Sequence, residues 1–370
     1  MEEKIYYESF ERMETFMAEA FTAIGVPQEE AKICAAVLIE SDKRGIDSHG
    51  VGRFKHVYID RINEGIQHPK THFEVVREGK TTAVVDGHDG MGHVISVKAM
   101  EMAIQKAKEY GMGMVAVRNS THYGIAGYYT MMAANEGMIG ITGTNARPSI
   151  APTFGVENML GTNPITFGFP TDEDFPFVLD CATSTSQRGK IEHYDRIGKK
   201  MPEGWVIDRQ GNSVTDPGEA LKGLTNGTCA LTPLGGTGEL TAGYKGYGYA
   251  TVVEVLSAAL QAGTFLKALG GINEDGSKRP YHLGHFFIAV DINAFIDVDD
   301  FKKTAGDILR ELRASQKAVG ESRIYTAGEK EYLAYLERKE TGVPLNGQVR
   351  KSLMDVRDQL KMDFQFVWEK

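Results

Sequence analysis

The stretch TAVVDGHDGMGHVISVKAMEMAIQKAKEYGMGMVAVRNSTHYG, residues 82–124, decides the fold class of this chain. Its β-branched opening over 82–86 predicts a strand, the apolar spacing over 94–110 an amphipathic helix, and 112–118 a second strand. Working outward, 125–135 reads as helix and 138–144 as strand, with further strands at 165–169, 177–181 and 205–207. A helix over 247–260 follows the glycine-rich loop 234–246. A strand at 285–291 then precedes a charged helix over 299–317. Such alternation predicts an α/β domain.

The two ends of the chain read differently. Phe10, Met13, Met17, Ala20 and Phe21, then Ala31, Cys34, Ala35 and Leu38 after the turn at Gly25-Val26-Pro27, recur at helical spacing. A further helix carries Phe54, Val57, Tyr58 and Ile62, with Asp47 or Ser48 available as its cap. The tail from Glu329 is again helical, interrupted at Gly342-Val343-Pro344. Helical ends around an α/β middle predict a discontinuous architecture, in which 1–75 and 290–370 pack together and 76–289 forms the α/β domain.

A formal net charge of −9 and the lack of any Lys/Arg run argue against a duplex nucleic-acid partner, which needs a basic stripe. Arginines in unusual settings, Arg53, Arg147 and Arg188, therefore become the places to look for anion recognition. Cys34, Cys181 and Cys229 form no CxxC pair, against both a disulfide framework and a zinc ribbon. The charged, helix-patterned N-terminus carries no secretory signal, and no apolar stretch nears membrane-spanning length. The expectation is a cytoplasmic protein with no membrane or nucleic-acid partner.

Gly87-His88-Asp89-Gly90-Met91-Gly92 sits between strand and helix, where a Rossmann fingerprint would lie. Its third glycine position is Ile95, and the next strand ends at Arg118 instead of an acidic residue. The dinucleotide fingerprint is therefore rejected. Gly243-Tyr244-Lys245-Gly246 likewise lacks the spacing of a nucleotide-triphosphate loop.

Four other tracts can carry chemistry. In Asp47-Ser48-His49-Gly50-Val51-Gly52-Arg53, His49 and Arg53 stand about one helical turn apart: an imidazole moves protons near neutral pH, and a guanidinium fork holds a carboxylate. A 2-hydroxy acid needs both at one carbon. The plain alternative is a helix cap and a surface ion pair. His122, in Asn119-Ser120-Thr121-His122-Tyr123-Gly124, follows a predicted strand, the usual place for a catalytic loop residue, although a lone histidine is as readily structural. Asp180 ends an apolar strand and is costly to bury unpaired, so either a histidine partner or a helix-capping role suits it. Lys245-Gly246 opens a helix where backbone N–H groups and an ammonium can meet a pyrophosphate; a plain glycine-rich turn is the alternative. No HxH or HExxH pair points to a catalytic metal, and no metal ligand is assigned.

Taken together, these tracts resemble the type-2 malate/L-lactate dehydrogenase family, which also holds sulfolactate, ureidoglycolate and diketogulonate oxidoreductases. The resemblance runs through Arg44-Gly45, Ser48-His49-Gly50-Val51, Asn119-Ser120 with His122-Tyr123-Gly124, Thr144-Asn145, Leu160-Gly161-Thr162-Asn163-Pro164, Asp180-Cys181-Ala182-Thr183-Ser184, Gly189-Lys190-Ile191, Pro202 with Gly204-Trp205, Lys245-Gly246-Tyr247-Gly248 and Gly328-Glu329. It implies a homodimer with a non-Rossmann NAD(P)-binding α/β domain inserted between helical segments that bind substrate and dimerise. It further implies that malate or another 2-hydroxy acid is the substrate and that NAD or NADP is the cofactor.

By the same resemblance His49 and His122 lie at the reacting carbon; Asp180 joins them as a catalytic candidate from its own setting, as a carboxylate able to pair with an imidazole. Ser48, Arg53 and Asn145 face the substrate, while Arg147, unusual at its position, reads either a second carboxylate or the cofactor. Ser120, Thr162, Asn163, Pro164, Asp180, Ala182, Thr183, Ser184, Lys190, Lys245, Gly246, Gly328 and Glu329 contact the dinucleotide. The family's tyrosine four residues after the arginine is Val57 here, with Tyr58 next, so no tyrosine receives a role.

Overall fold

A computed structural model describes residues 4–369; the terminal residues of the two helical ends, 1–3 and 370, lie outside it. The chain opens with β1 (Tyr6–Glu8), α1 (Phe10–Ala23) and α2 (Gln28–Lys43). Then comes a three-part helix: α3 (Val51–Arg53), a π-helical turn over Phe54–Ile59, and α4 (Asp60–Asn63). The middle holds β2 (Glu74–Glu78), β3 (Thr82–Asp86), α5 (Gly92–Tyr110), β4 (Met112–Ser120), α6 (Gly127–Asn135), β5 (Met138–Thr144), β6 (Ile165–Phe169) and β7 (Phe177–Cys181). After it come α7 (Arg188–Arg196), β8 (Val206–Asp208), α8 (Pro217–Asn226), β9 (Cys229–Leu231), α9 (Gly243–Ala258) and β10 (Leu283–Asp291). The chain closes with α10 (Val298–Ala314), α11 (Glu329–Thr341), β11 (Val343–Leu345) and α12 (Gly347–Gln359).

The main sheet has seven strands in the order β2-β3-β4-β10-β5-β6-β7. Only β3 and β4 run parallel; every other pair is antiparallel. The late strand β10 enters the centre of the sheet between β4 and β5, a placement that no local periodicity could announce. β2 also lay outside the expected strands, because all five of its residues are exposed and offer no alternating apolar face. Helices α7 and α8 lie between β7 and β9. They pack through Ile191, Ala220 and the half-buried Trp205 into a small separate core.

Another core joins the two ends of the chain. Met13, Phe16 and Phe21 of the first helix meet Phe54 and Tyr58, together with Leu353, Val356 and Phe366 from the last residues. β1 pairs with β11 across the same junction. Met91 and Val94, at the start of α5, complete this cluster, so the helical ends bear directly on the strand-to-helix loop. Among the described residues no helix is long and apolar enough to cross a membrane.

Candidate active site

The loop after β4 is sewn to the start of α5. Thr121 Oγ1 donates to Gly90 O at 2.8 Å and accepts from Gly92 N–H at 3.0 Å. A Cβ on Gly92 would stand 2.4 Å from Thr121 O and 2.5 Å from His122 O, so only glycine permits this approach. The glycines of 87–92 thus have a structural use: they carry the backbone of the His122 loop.

The helix bearing Arg53 is fixed from another direction. Neither Asp47 nor Ser48 caps it, contrary to expectation; the buried Asp42 of α2 accepts from Val51 N–H at 2.8 Å. Asp47 turns to Arg338, 3.0 Å away. A Cβ on Gly50 would lie 2.2 Å from the Asp42 carboxylate, so this cap needs a glycine there. The segment 47–50 is held by Asp42 at its end and, through Asp47, by Arg338, and His49 rides on it.

These constraints bring His49 and His122 together, with ring centroids 5.7 Å apart and planes inclined by 22°. His49 Nδ1 lies 2.8 Å from Ser48 Oγ. His122 Nδ1 receives Gly124 N–H at 3.2 Å and has Tyr58 Oη at 2.7 Å. Because a backbone N–H can only donate, Nδ1 keeps its lone pair, the tyrosine hydroxyl also donates to it, and the neutral ring carries its proton on Nε2. Nε2 is then the nitrogen left free for a ligand.

Tyr58 reaches this position through the π turn. Each such turn holds one residue more than an α turn, so residue i+5 returns to the face of residue i. Tyr58 follows Arg53 by five positions, while Val57, at the family's tyrosine position, is buried in the core. Tyr58 received no role from the sequence because the family's spacing, four residues after the arginine, falls on Val57.

The surroundings are cationic. Arg53 Nε donates to Ser48 O at 2.6 Å. Arg61, three residues beyond Tyr58, and Arg147, from the segment after β5, both flank the Tyr281 ring, at 4.8 and 5.4 Å from its centroid. Among the described residues no carboxylate forms an ion pair with Arg53, Arg61 or Arg147, in a chain with 50 acidic and 41 basic residues. Burial, reinforced by the Arg53 charge, lowers the His49 pKa to about 4. Burial also holds His122 well below the usual imidazole range, and the charges of His49, Arg61, His93 and Arg53 lower it further. Both rings are neutral at pH 7. His93 sits behind them, fully buried against the Tyr58 ring at 4.7 Å. Arg61, His93 and Tyr281 had no signal in spacing.

Other expected residues fall elsewhere. Asn145 is spent on the backbone: its Nδ2 donates to Thr264 O at 3.1 Å and its Oδ1 accepts from Gly284 N–H at 2.8 Å. Asp180 accepts from Gly127 N–H at 2.7 Å and Thr166 Oγ1 at 3.0 Å, so it caps α6, and among the described residues neither imidazole hydrogen-bonds to it. With Gly328, Arg44 and Lys330 it lines a cavity of about 310 Å³, in the size range of small-ligand sites. Glu329 is buried and turned inward, accepting from Thr326 N–H at 3.0 Å and pairing with Arg323.

Thr162, Asn163, Thr183 and Ser184 lie together. Thr183 Oγ1 donates to Thr162 O and Asn163 O at 3.1 and 3.0 Å, and Asn163 Nδ2 reaches Glu254 at 2.8 Å. Thr183 O accepts from Leu234 N–H, against which Gly246 packs without room for a Cβ. Pro164 and Ala182 flank this knot. Lys190 lies over Trp205 at 4.7 Å and Lys245 over Tyr244 at 5.9 Å. The hydroxyls of Ser120, Ser184 and Ser186 are buried with no hydrogen-bond partner among the described residues, a costly state that a bound polar ligand would relieve.

Two imidazoles beside unpaired guanidiniums, on a mixed α/β scaffold, define a site for acid–base chemistry on an organic anion. The sequence pattern of the Malate/L-lactate dehydrogenase family matches residues 9–354. A malate dehydrogenase of Pyrococcus horikoshii is 44% identical over 95% of this chain and 95% of its own length. An L-sulfolactate dehydrogenase of Methanocaldococcus jannaschii is 39% identical over 96% and 97%. The crystal structure of malate dehydrogenase from Entamoeba histolytica superposes with a TM-score of 0.94 at 44% identity, over 98% of this chain and all of that one. The chain belongs to the malate/L-lactate dehydrogenase family and is a 2-hydroxy acid dehydrogenase acting on a CH–OH group.

Proposed function

We propose that the enzyme interconverts malate and oxaloacetate, passing a hydride between carbon 2 and NAD or NADP. The observation that carries this reading is the set of guanidiniums without carboxylate partners around a neutral imidazole pair. A dicarboxylate needs two cationic anchors. Arg53 takes the carboxylate next to the reacting carbon, and Arg61 with Arg147 takes the distal one, each as a planar fork suited to a carboxylate.

When bound, the nicotinamide supplies or accepts the hydride. Ser120, the knot of Thr162, Asn163, Pro164, Ala182, Thr183 and Ser184, the cations Lys190 and Lys245, Gly246, and the cavity between Asp180 and Gly328 would hold the dinucleotide. The unpartnered serine hydroxyls fit such a polar ligand. The protein's own work is proton handling. His122, held as the Nε2–H tautomer by Tyr58 and Gly124, donates a hydrogen bond to the substrate oxygen. His49 takes the hydroxyl proton in oxidation and returns it in reduction.

A reading as a dehydrogenase of another 2-hydroxy acid is favoured by the 39% identical L-sulfolactate dehydrogenase, since the same distal cations would accept a sulfonate. The proposal includes an α/β domain over 76–289 for the cofactor and a discontinuous helical domain, 1–75 with 290–370, for substrate and dimerisation. A homodimer in the cytoplasm completes it, in keeping with three cysteines that form no disulfide. Initial rates with a panel of 2-oxo acids and both reduced cofactors test the substrate reading. Oxaloacetate should give the highest kcat/KM, and a higher value for sulfopyruvate or pyruvate would replace it.

A further inference from the structure

Antiparallel pairing of β2 with β3 sets Glu74 opposite Asp86. Continuing that register two residues outward puts His72 opposite His88. The two rings stack with centroids 4.4 Å apart, and His88 Nε2 lies 2.7 Å from Glu74 Oε2. One ligand atom from each of His72, Glu74 and His88 falls within 4.8 Å of the other two. No spacing within the sequence signals this group, because the two histidines are brought together only by strand pairing.

His88 is aimed by its backbone. Its φ of +46° lies in the left-handed region, uncommon outside glycine. Its N–H donates to Asp86 Oδ1 at 3.0 Å, and Asp86 is itself anchored by Arg118 at 2.8 Å and Asn119 at 2.9 Å. The backbone that carries His88 is thus held by groups outside the trio.

We propose that His72, Glu74 and His88 bind a divalent cation of the zinc class, at a site sharing no residue with the substrate pocket. Two imidazoles with one carboxylate suit zinc, cobalt, nickel or copper; magnesium and calcium prefer all-oxygen sets. His72 and Glu74 are exposed and His88 is half-buried, so water completes the coordination. The ion ties the segment before the edge strand β2 to the loop after β3, and it stabilises the folded chain by mass action.

The test is calorimetric titration of zinc into chelator-treated, tag-free full-length protein, with the absorption spectrum of bound cobalt as a second readout. One ion per chain is expected, with a rise in melting temperature. His72→Ala and His88→Asn should each weaken binding at least about tenfold; asparagine tolerates the positive φ, so the loop should survive. Glu74→Gln should weaken it less. His56→Asn, which removes an exposed histidine paired only with Asp60, should change nothing. Lack of saturable one-to-one binding, or unchanged affinity in the His72→Ala/His88→Asn double variant with its metal-free melting temperature intact, would overturn the proposal.

Discussion

Tyr58 and His122, 64 positions apart in sequence, are joined by a 2.7 Å hydrogen bond in which the phenol donates to the imidazole. The bond needs the extra residue of the π turn, the buried packing of Tyr58 on His93, and the glycine-dependent placement of the His122 loop. Its chemical effect is to hold one tautomer.

Tyr58→Phe keeps the ring and its packing and deletes only this donor. A single hydrogen bond is worth about 1 kcal/mol net, so kcat should fall by roughly fivefold to tenfold with KM for the oxo acid little changed. Steady-state kinetics with a thermal melt as control check this. An unchanged kcat would mean that Gly124 alone fixes the ring.

His49→Asn should lower kcat by about 10² to 10⁴, the usual worth of a placed proton donor. His122→Gln, which retains a donor, should cost less and leave the pH dependence in place. The free enzyme's His49 titrates near 4, because burial and Arg53 disfavour its cation. For reduction, which needs the protonated form, kcat/KM should fall as pH rises through that value. For oxidation it should rise and be flat by pH 7. A bound carboxylate neutralises Arg53, so the inflection in kcat should lie at higher pH than that in kcat/KM. Profiles in both directions for wild type and variants test the assignment, and a His49→Asn profile identical to wild type would remove it.

Arg53→Lys keeps the charge and loses the fork. It should lower kcat/KM for oxaloacetate at least about tenfold, roughly 1.4 kcal/mol of transition-state binding, with cofactor affinity nearly constant. Arg61→Met should act selectively, weakening oxaloacetate about tenfold relative to pyruvate, which has no distal carboxylate. Equal losses on both substrates would take Arg61 out of the distal anchor.

His93 is fully buried, neither ring nitrogen has a partner among the described residues, and burial lowers its pKa to about 3. Folded protein stays unprotonated here while unfolded chain takes a proton near 6.5. Stability is therefore lost as pH falls from about 6.5 toward 3, by up to roughly 1.4 kcal/mol per pH unit for this group. His93→Phe should melt close to wild type at pH 7.5 and above it at pH 5. Parallel melting curves across pH would show that His93 does not titrate in this way.

The strands at 82–86, 165–169 and 177–181 were legible because their apolar patterns are local, and α1, α2, α5 and α10 were legible for the same reason. His49, Arg53 and His122 were legible as candidates because each sits at the edge of such an element. Asp180 shows the limit of that approach. That it would need a partner was foreseen, yet the partners are the α6 N-terminus and Thr166, which only the folded sheet supplies.

By itself the sequence determined the α/β class, the helical ends, the family and the imidazole and guanidinium candidates, since these rest on periodicity and on short motifs within one element. Tertiary structure alone decided that β10 enters mid-sheet and that a π turn delivers Tyr58 to His122. It also decided that Arg61 and Arg147 meet on Tyr281, and that His72 faces His88 across a strand pair. The reason is physical. Periodicity records which face of an element is buried, whereas a site depends on which elements meet, and that is set by packing between segments far apart in the chain.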